Sequence, residues 1–306
     1  MREKTKGYLC LAFICLVWGT TYLFIKIGVK SFPVFIFAGV RSTFAGIILL
    51  VLLSFTKVKF QWSWHNLIPN FISGALIMGI GNSFVTWSVR FIPSGLASLI
   101  CTLIPVFIVI LSLFISKEKK LNVMIVSGVV LGIFGMLLVF RDNIKDMANS
   151  NYIMGMLIVF LGSVSWAIGT VFSKAKTSET NAFYNAAIQL ASGGICCLIY
   201  SFFTKEWSSI GEITYSSVLV LLYVTLIGST AAYAAYQYAL TTLPVGVVAT
   251  YAYINPLIAV ILGNLILKER LTWITGSAFI LTITGVYLVN KGYNIKRPQN
   301  LLNLHH

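Results

Sequence analysis

Arg41 is the residue of this sequence whose type and place say most about chemistry. It stands inside the run Pro33–Phe55, which is otherwise free of charge. A guanidinium at the centre of a bilayer costs about 2.5–3.5 kcal/mol on insertion scales, so Arg41 is expected to face the bundle or a watery cavity. Its planar fork suits a carboxylate through charge-assisted hydrogen bonds. The competing use is structural: pairing with helix-end carbonyls to hold its own helix in place.

Polar and aromatic residues interrupt other apolar runs in the same way. They are Trp18, Thr20, Thr21 and Tyr22; Asn82, Thr86 and Trp87; Trp166 and Thr170; Tyr233, Tyr236, Gln237 and Tyr238; and Thr250, Tyr251, Tyr253 and Asn255. Polar groups in hydrocarbon need partners, so many of these must point inward. Some would serve only as glue between helices. As a set they favour a cavity whose aromatic walls and few hydrogen-bonding groups suit an amphipathic or aromatic small molecule. The candidate substrate-binding residues are Trp18, Thr21, Arg41, Asn82, Trp87, Trp166, Tyr233, Gln237, Tyr251 and Asn255.

Charges near run ends have a plainer default. Lys26 and Lys174 would snorkel to the interface, with a gating or substrate role as the alternative. Glu118 and Glu269 each follow a lysine; they are solvated end charges, or each closes a gate by pairing with a neighbouring base. Pro105, Asn255 and Pro256 would interrupt backbone pairing, giving kinks for rocking motion or freed carbonyls for a ligand. Gly128 and Gly132, four apart, allow close helix contact and are assigned only packing.

Several chemistries are absent. All eight acidic residues lie outside the run interiors, where a buried carboxylate is the usual proton relay. A dedicated proton-coupled antiporter is therefore less expected than facilitated diffusion. The interiors also hold no histidine, and no nucleophile elbow or phosphate loop appears. An intramembrane enzyme, ATP-driven pumping and catalytic residues are accordingly not expected. The five cysteines fall within or beside apolar runs without metal-ligand spacing, so neither disulfides, a metal nor a cofactor is expected.

The elements that must position these groups are read from hydropathy. The 306 residues are 58% hydrophobic and 10% charged, with mean hydropathy +0.89, against about 25% charged in a soluble domain. The formal charge of +14 sits in short breaks between apolar runs. It orients helices and meets anionic headgroups; no patch is long enough to track nucleic acid. Ten runs of membrane-spanning length can be marked: Tyr8–Gly28, Pro33–Phe55, Asn66–Val89, Pro93–Ile115, Asn122–Phe140, Tyr152–Ser173, Asn181–Phe203, Tyr215–Ala239, Val245–Leu267 and Thr272–Asn290. The first lacks a cleavage site and is read as a retained helix. Lysine and arginine counts favour both termini in the cytoplasm, clearly in the first half and weakly in the second.

An internal repeat organises the runs. Pro93, Gly95, Pro105, Lys117 and Glu118 match Pro244, Gly246, Pro256, Lys268 and Glu269 without a gap. Gly7, Trp18, Phe24 and Lys26 match Gly155, Trp166, Phe172 and Lys174. The fold class expected is all-α membrane protein, ten transmembrane helices in two inverted five-helix repeats. The repeats are residues 1–148 and 149–306, joined by Arg141–Asn151. An odd number of crossings per copy inserts the second in the opposite sense, which suits a substrate site between two alternately opened halves.

This plan resembles the drug/metabolite transporter superfamily, in particular its EamA branch of bacterial permeases. The resemblance is carried by Trp18-Gly19-Thr20 with Lys26, by Arg41 followed by Ala45, and by the Pro105…Glu118 and Pro256…Glu269 pattern. It spans about residues 7 to 290. It implies a ten-helix basket with a central cavity, exporting amino acids, metabolites or drugs from the bacterial cytoplasmic membrane. One departure stands out: Gln189 occupies the position that matches Arg41. The partners expected are a small-molecule substrate and the lipid bilayer, with monomer and homodimer equally compatible. Flipping of a lipid-linked substrate is the alternative function on the same architecture.

Overall fold

A computed structural model describes residues 2–56, 63–115, 123–142, 149–176, 181–243, 245–248, 251–269 and 272–294. Glu118, Thr250 and Pro244 lie outside the described residues. Among those described, every regular element is helical.

Helix α1 (Arg2–Gly28) leads through a short turn to α2 (Val34–Ser54). The next run is continuous but not uniform: α3 (Trp64–Gly74) widens into a π-helical segment, Ala75–Asn82, before α4 (Ser83–Ser88). Pro93 starts α5 (Ser94–Cys101), and a turn at Thr102–Leu103 separates it from α6 (Ile104–Ile115). The break expected at Pro105 thus falls just before it, because a proline is tolerated in a first helical turn and not further in. Helix α7 (Val123–Asp142) ends the first half.

The second half repeats the order. Helices α8 (Ser150–Lys176) and α9 (Ala182–Phe203) follow, the latter capped by the Asn181 side chain on the amides of Phe183 and Tyr184. Helix α10 (Tyr215–Tyr223) starts with a capping box between Thr214 and Ser217. It widens into a second π-helical segment, Val224–Ala231, and continues as α11 (Ala232–Thr242). Helices α12 (Val245–Val248), α13 (Tyr251–Leu267, with Pro256 inside) and α14 (Trp273–Asn294) complete it.

Among the described residues, six helical runs are long and apolar enough to cross a membrane: Glu3–Gly28, Val34–Ser54, Trp64–Ser88, Ser150–Lys176, Ala182–Phe203 and Tyr215–Thr242. The expected fourth, fifth, ninth and tenth crossings are represented by shorter apolar helices, Ser94–Ile108, Val123–Gly135, Ile254–Leu267 and Gly276–Val289. The chain is an all-α membrane protein. Its outer faces carry exposed Leu9, Leu16, Phe44 and Phe55, while Trp64, Trp207 and Trp273 are exposed at helix ends, as an aromatic belt requires.

Packing follows the repeat. Matching helices pair with each other: α2 with α9, and α7 with α14. Helix α1 packs on α11 and α13, while its counterpart α8 packs on the first π-helical segment, α4 and α6. The matched pairs approach closely through small residues. A Cβ on Gly46 would lie 2.7 Å from the Ala187 carbonyl, and one on Gly285 2.6 Å from that of Gly128. Larger residues would force these helices apart.

Candidate functional site

The repeat-related tryptophans meet at the centre of the molecule. The rings of Trp18 and Trp166 are edge to face, with centroids 6.0 Å apart. Tyr236 and Tyr251 close on Trp18 at 5.2 and 5.0 Å. Offset and edge contacts of this kind suit the charge distribution of aromatic rings. The indole N–H of Trp18 donates to the Gly228 carbonyl at 3.1 Å. That carbonyl belongs to the second π-helical segment, where widened turns expose backbone acceptors that a regular helix would use itself.

Beside this cluster lies a small cavity of about 60 Å³. Trp18, Thr21, Tyr22 and Ile25 line it from α1, and Arg41 from α2. Asn82, Val85, Cys101, Ile104, Trp166, Gly228, Tyr251 and Asn255 complete the wall. Arg41 is only 2% exposed. One of its terminal N–H groups donates to Asn82 Oδ1, and its buried Nε has no acceptor among the described residues. The ion pair found among the described residues is between Lys26 and Glu269, so no carboxylate neutralises Arg41 there. A buried cation held by one amide oxygen is incompletely satisfied.

Of the residues singled out from sequence, Trp18, Thr21, Arg41, Asn82, Trp166, Tyr251 and Asn255 share this wall. Asn255, with its amide nitrogen toward acceptors, donates to the carbonyls of Tyr251 and Cys15 at 3.0 and 2.9 Å and ties α13 to α1. Trp87 is elsewhere, half-buried against Phe35 and Phe84. Tyr233 and Gln237 are also elsewhere, in a sealed polar network. Gln189 Nε2 donates to Asn70 Oδ1 (2.9 Å) and Ser173 Oγ (3.0 Å). Gln189 Oε1 accepts from Tyr233 (2.6 Å) and Gln237 (2.9 Å), and Asn70 donates on to Asn185 (3.0 Å). Cys101, Ile104, Val85, Ile25 and Gly228 line the cavity without having been singled out. Their side chains carry no polar signal, and what Gly228 contributes is a backbone carbonyl freed by helix widening.

Polar clusters lie toward both ends of the surrounding helices. At the end where α1 finishes and α2 begins, Lys26 Nζ donates to Glu269 Oε1 at 2.9 Å and to the Ile92 carbonyl at 3.0 Å. Glu269 also accepts from the Ser94 amide (2.9 Å) and hydroxyl, at the start of α5. A carboxylate fits a helix start, where free amides and the helix dipole favour negative charge. Burial favours the neutral form of Glu269, but the Ser94 amide and Lys26 outweigh it and hold its pKa below the ordinary value. The turn that aims it is local: Lys268 takes the left-handed conformation (φ 54°) and the Glu269 amide returns to the Gly263 carbonyl at 3.1 Å. At the same end, Glu206 accepts from the Phe35 and Ile36 amides at the start of α2. There burial prevails and pushes its carboxyl up. The Gln189 network lies toward the other ends of these helices and ties α9 to α3, α8 and α11.

Comparison with known proteins adds the family. The EamA-like transporter family model matches residues 5–141 and again 153–291. The uncharacterized inner membrane transporter YedA of Escherichia coli strain K12 is 30% identical over 279 residues, covering 90% of this chain and 88% of its own. The uncharacterized transporter YoaV of Bacillus subtilis strain 168 is 28% identical, covering 90% and 93%. A probable amino-acid metabolite efflux pump of Escherichia coli strain K12 is 25% identical, covering 94% and 95%. A solved crystal structure superposes with a TM-score of 0.65 at 17% identity over 93% of this chain and 96% of that one, which shows a shared fold. With both halves matched by the family model and relatives aligned nearly end to end, this chain belongs to the EamA-like transporter family and is a multi-pass membrane transporter.

Proposed function

We propose that the chain exports small carboxylate-bearing metabolites, amino acids or related compounds, across the inner membrane by alternating access through the Arg41 cavity, with both termini cytoplasmic. The observation that carries this reading is Arg41: buried, short of acceptors, and facing a cavity between the two halves. A carboxylate would supply the acceptors that Arg41 lacks, and the ring cluster would take an apolar body. The relatives named as an inner membrane transporter and as an amino-acid metabolite efflux pump support the compartment and the substrate class.

In this account Arg41 binds and orients the carboxylate, and the rings of Trp18, Trp166 and Tyr251 exclude water from its apolar part. The Lys26–Glu269 clasp opens and closes one end. The turn before Pro105, the proline in α13 and the two π-helical segments are the places where helices can bend without losing further hydrogen bonds. Uptake into proteoliposomes, screened over labelled amino acids with and without a pH gradient, tests the reading. Flux that is lost in Arg41→Ala and Trp166→Ala supports it. If no amino acid moves while a labelled lipid changes leaflet, flipping replaces it.

A further inference from the structure

We propose that the cavity selects an organic monoanion, a carboxylate on an aromatic or bulky apolar body, over the zwitterion of the same shape. The inference rests on the transporter reading above and, within its carboxylate-bearing class, ranks compounds without an ammonium group above amino acids.

The wall offers donors and positive charge but little that would receive a second cation. Arg41 is the charged residue among those lining the cavity, and no aspartate, glutamate or histidine accompanies it there. Two of the wall's strongest acceptors are engaged, Asn82 Oδ1 by Arg41 and the Gly228 carbonyl by the Trp18 indole, which leaves the neutral Asn255 amide oxygen and the Tyr22 and Tyr251 hydroxyls. The Thr21 hydroxyl is turned to the Trp18 carbonyl at 2.7 Å. The unmatched group is a donor, Arg41 Nε, buried without an acceptor among the described residues, while the Trp166 indole N–H faces the Tyr236 hydroxyl. Such a site is completed by a ligand that brings acceptors.

A carboxylate does so, and its charge cancels that of Arg41. An ammonium group brings three more donors and a charge of the same sign, in surroundings of low dielectric where repulsion is strong. Ring faces could receive an ammonium. Yet the rings nearest the cavity are turned on each other, with Trp166, Tyr236 and Tyr251 all within 6.0 Å of Trp18. The apolar wall from Ile25, Val85, Cys101 and Ile104 then favours bulk beyond the carboxylate over a polar tail.

A matched trio of probes tests this: 3-phenylpropanoate, L-phenylalanine and phenethylamine, titrated by tryptophan fluorescence onto purified full-length protein in lipid nanodiscs at pH 7.5. The expected order is 3-phenylpropanoate saturating at a concentration at least about tenfold lower than phenylalanine, with phenethylamine not binding. Arg41→Gln should abolish the first titration. Arg41→Lys, which keeps the charge without the fork, should bind more weakly but keep the order. If phenylalanine binds as well as or better than 3-phenylpropanoate in an Arg41-dependent way, the selectivity is overturned while the transporter reading stands. If none of the three binds, or binding is unchanged in both variants, the cavity is not the substrate site and both readings fall.

Discussion

Arg41 in the first half and Gln189 in the second occupy matching positions of the repeat, on helices that pack directly against each other. Their surroundings differ in one respect that decides their use. Gln189 is fully buried, and both ends of its amide are engaged by Asn70, Ser173, Tyr233 and Gln237. Arg41 is equally hidden but holds one amide oxygen, leaves Nε without an acceptor and opens onto a cavity. One site is complete without a ligand and the other is not. On the function proposed above, one of these two polar positions serves as a structural lock and the other as a group that a ligand completes.

The largest effect is expected where a complete network is broken. Gln189→Ala should destabilise the protein by about 3 kcal/mol, since it strands buried partners on three helices. Thermal unfolding in detergent should show this, with ligand affinity in the surviving folded fraction little changed. Arg41→Gln should do the reverse. Its unfolding temperature should hold or rise, because an incompletely paired buried charge is removed. Binding of a carboxylate should fall out of the measurable range, a loss of at least about 2 kcal/mol or roughly thirtyfold, as expected for lost charge-assisted hydrogen bonds. The double exchange Arg41→Gln with Gln189→Arg should not restore binding, because Tyr233 and Gln237 already fill the space around position 189.

Smaller effects belong to the clasp. Glu269→Gln should cost about 1.5 kcal/mol of charge-assisted bonding to Lys26 and Ser94. It should raise the fraction of molecules open at that end, read by thiol labelling of a cysteine placed on the wall at Ile25. The dependence on pH has a defined sign. A carboxyl held below its ordinary pKa stabilises the closed clasp at every pH above that value. The stabilisation fades only as pH falls below about 4.5. Labelling relative to the same cysteine in the Glu269→Gln background, which cancels the pH dependence of the thiolate, should therefore be flat from pH 8 to 5. Trp18→Phe, which keeps the ring and drops the bond to Gly228, should show the smallest change, about 1 kcal/mol in stability.

Much of this was legible in the sequence, for physical reasons that also mark where it stops. Apolar length must match a bilayer, so the crossings announce themselves, and Trp18 paired with Trp166 in register betrays the repeat. Trp18, Arg41, Asn82 and Tyr251 reach one wall because a polar or large aromatic residue in hydrocarbon has few other places to go. Tyr233 and Gln237 obey the same rule, yet reach the Gln189 lock. A sequence tells that a polar group needs a partner but not whether protein or ligand supplies it. The carbonyl of Gly228 carried no signal, since widening of a helix by one residue leaves no compositional mark. Nor was the aim of Glu269 visible, because it depends on the left-handed turn at Lys268.

The comparison of positions 41 and 189 is tested most directly by ligand-induced thermal stabilisation of wild type, Arg41→Gln and Gln189→Ala with 3-phenylpropanoate. A ligand that binds the folded state raises its unfolding temperature by an amount that grows with the logarithm of its concentration relative to Kd. The account predicts a shift in wild type, an equal shift from a lower starting temperature in Gln189→Ala, and none in Arg41→Gln. A shift that survives in Arg41→Gln, or that vanishes in Gln189→Ala, would contradict it.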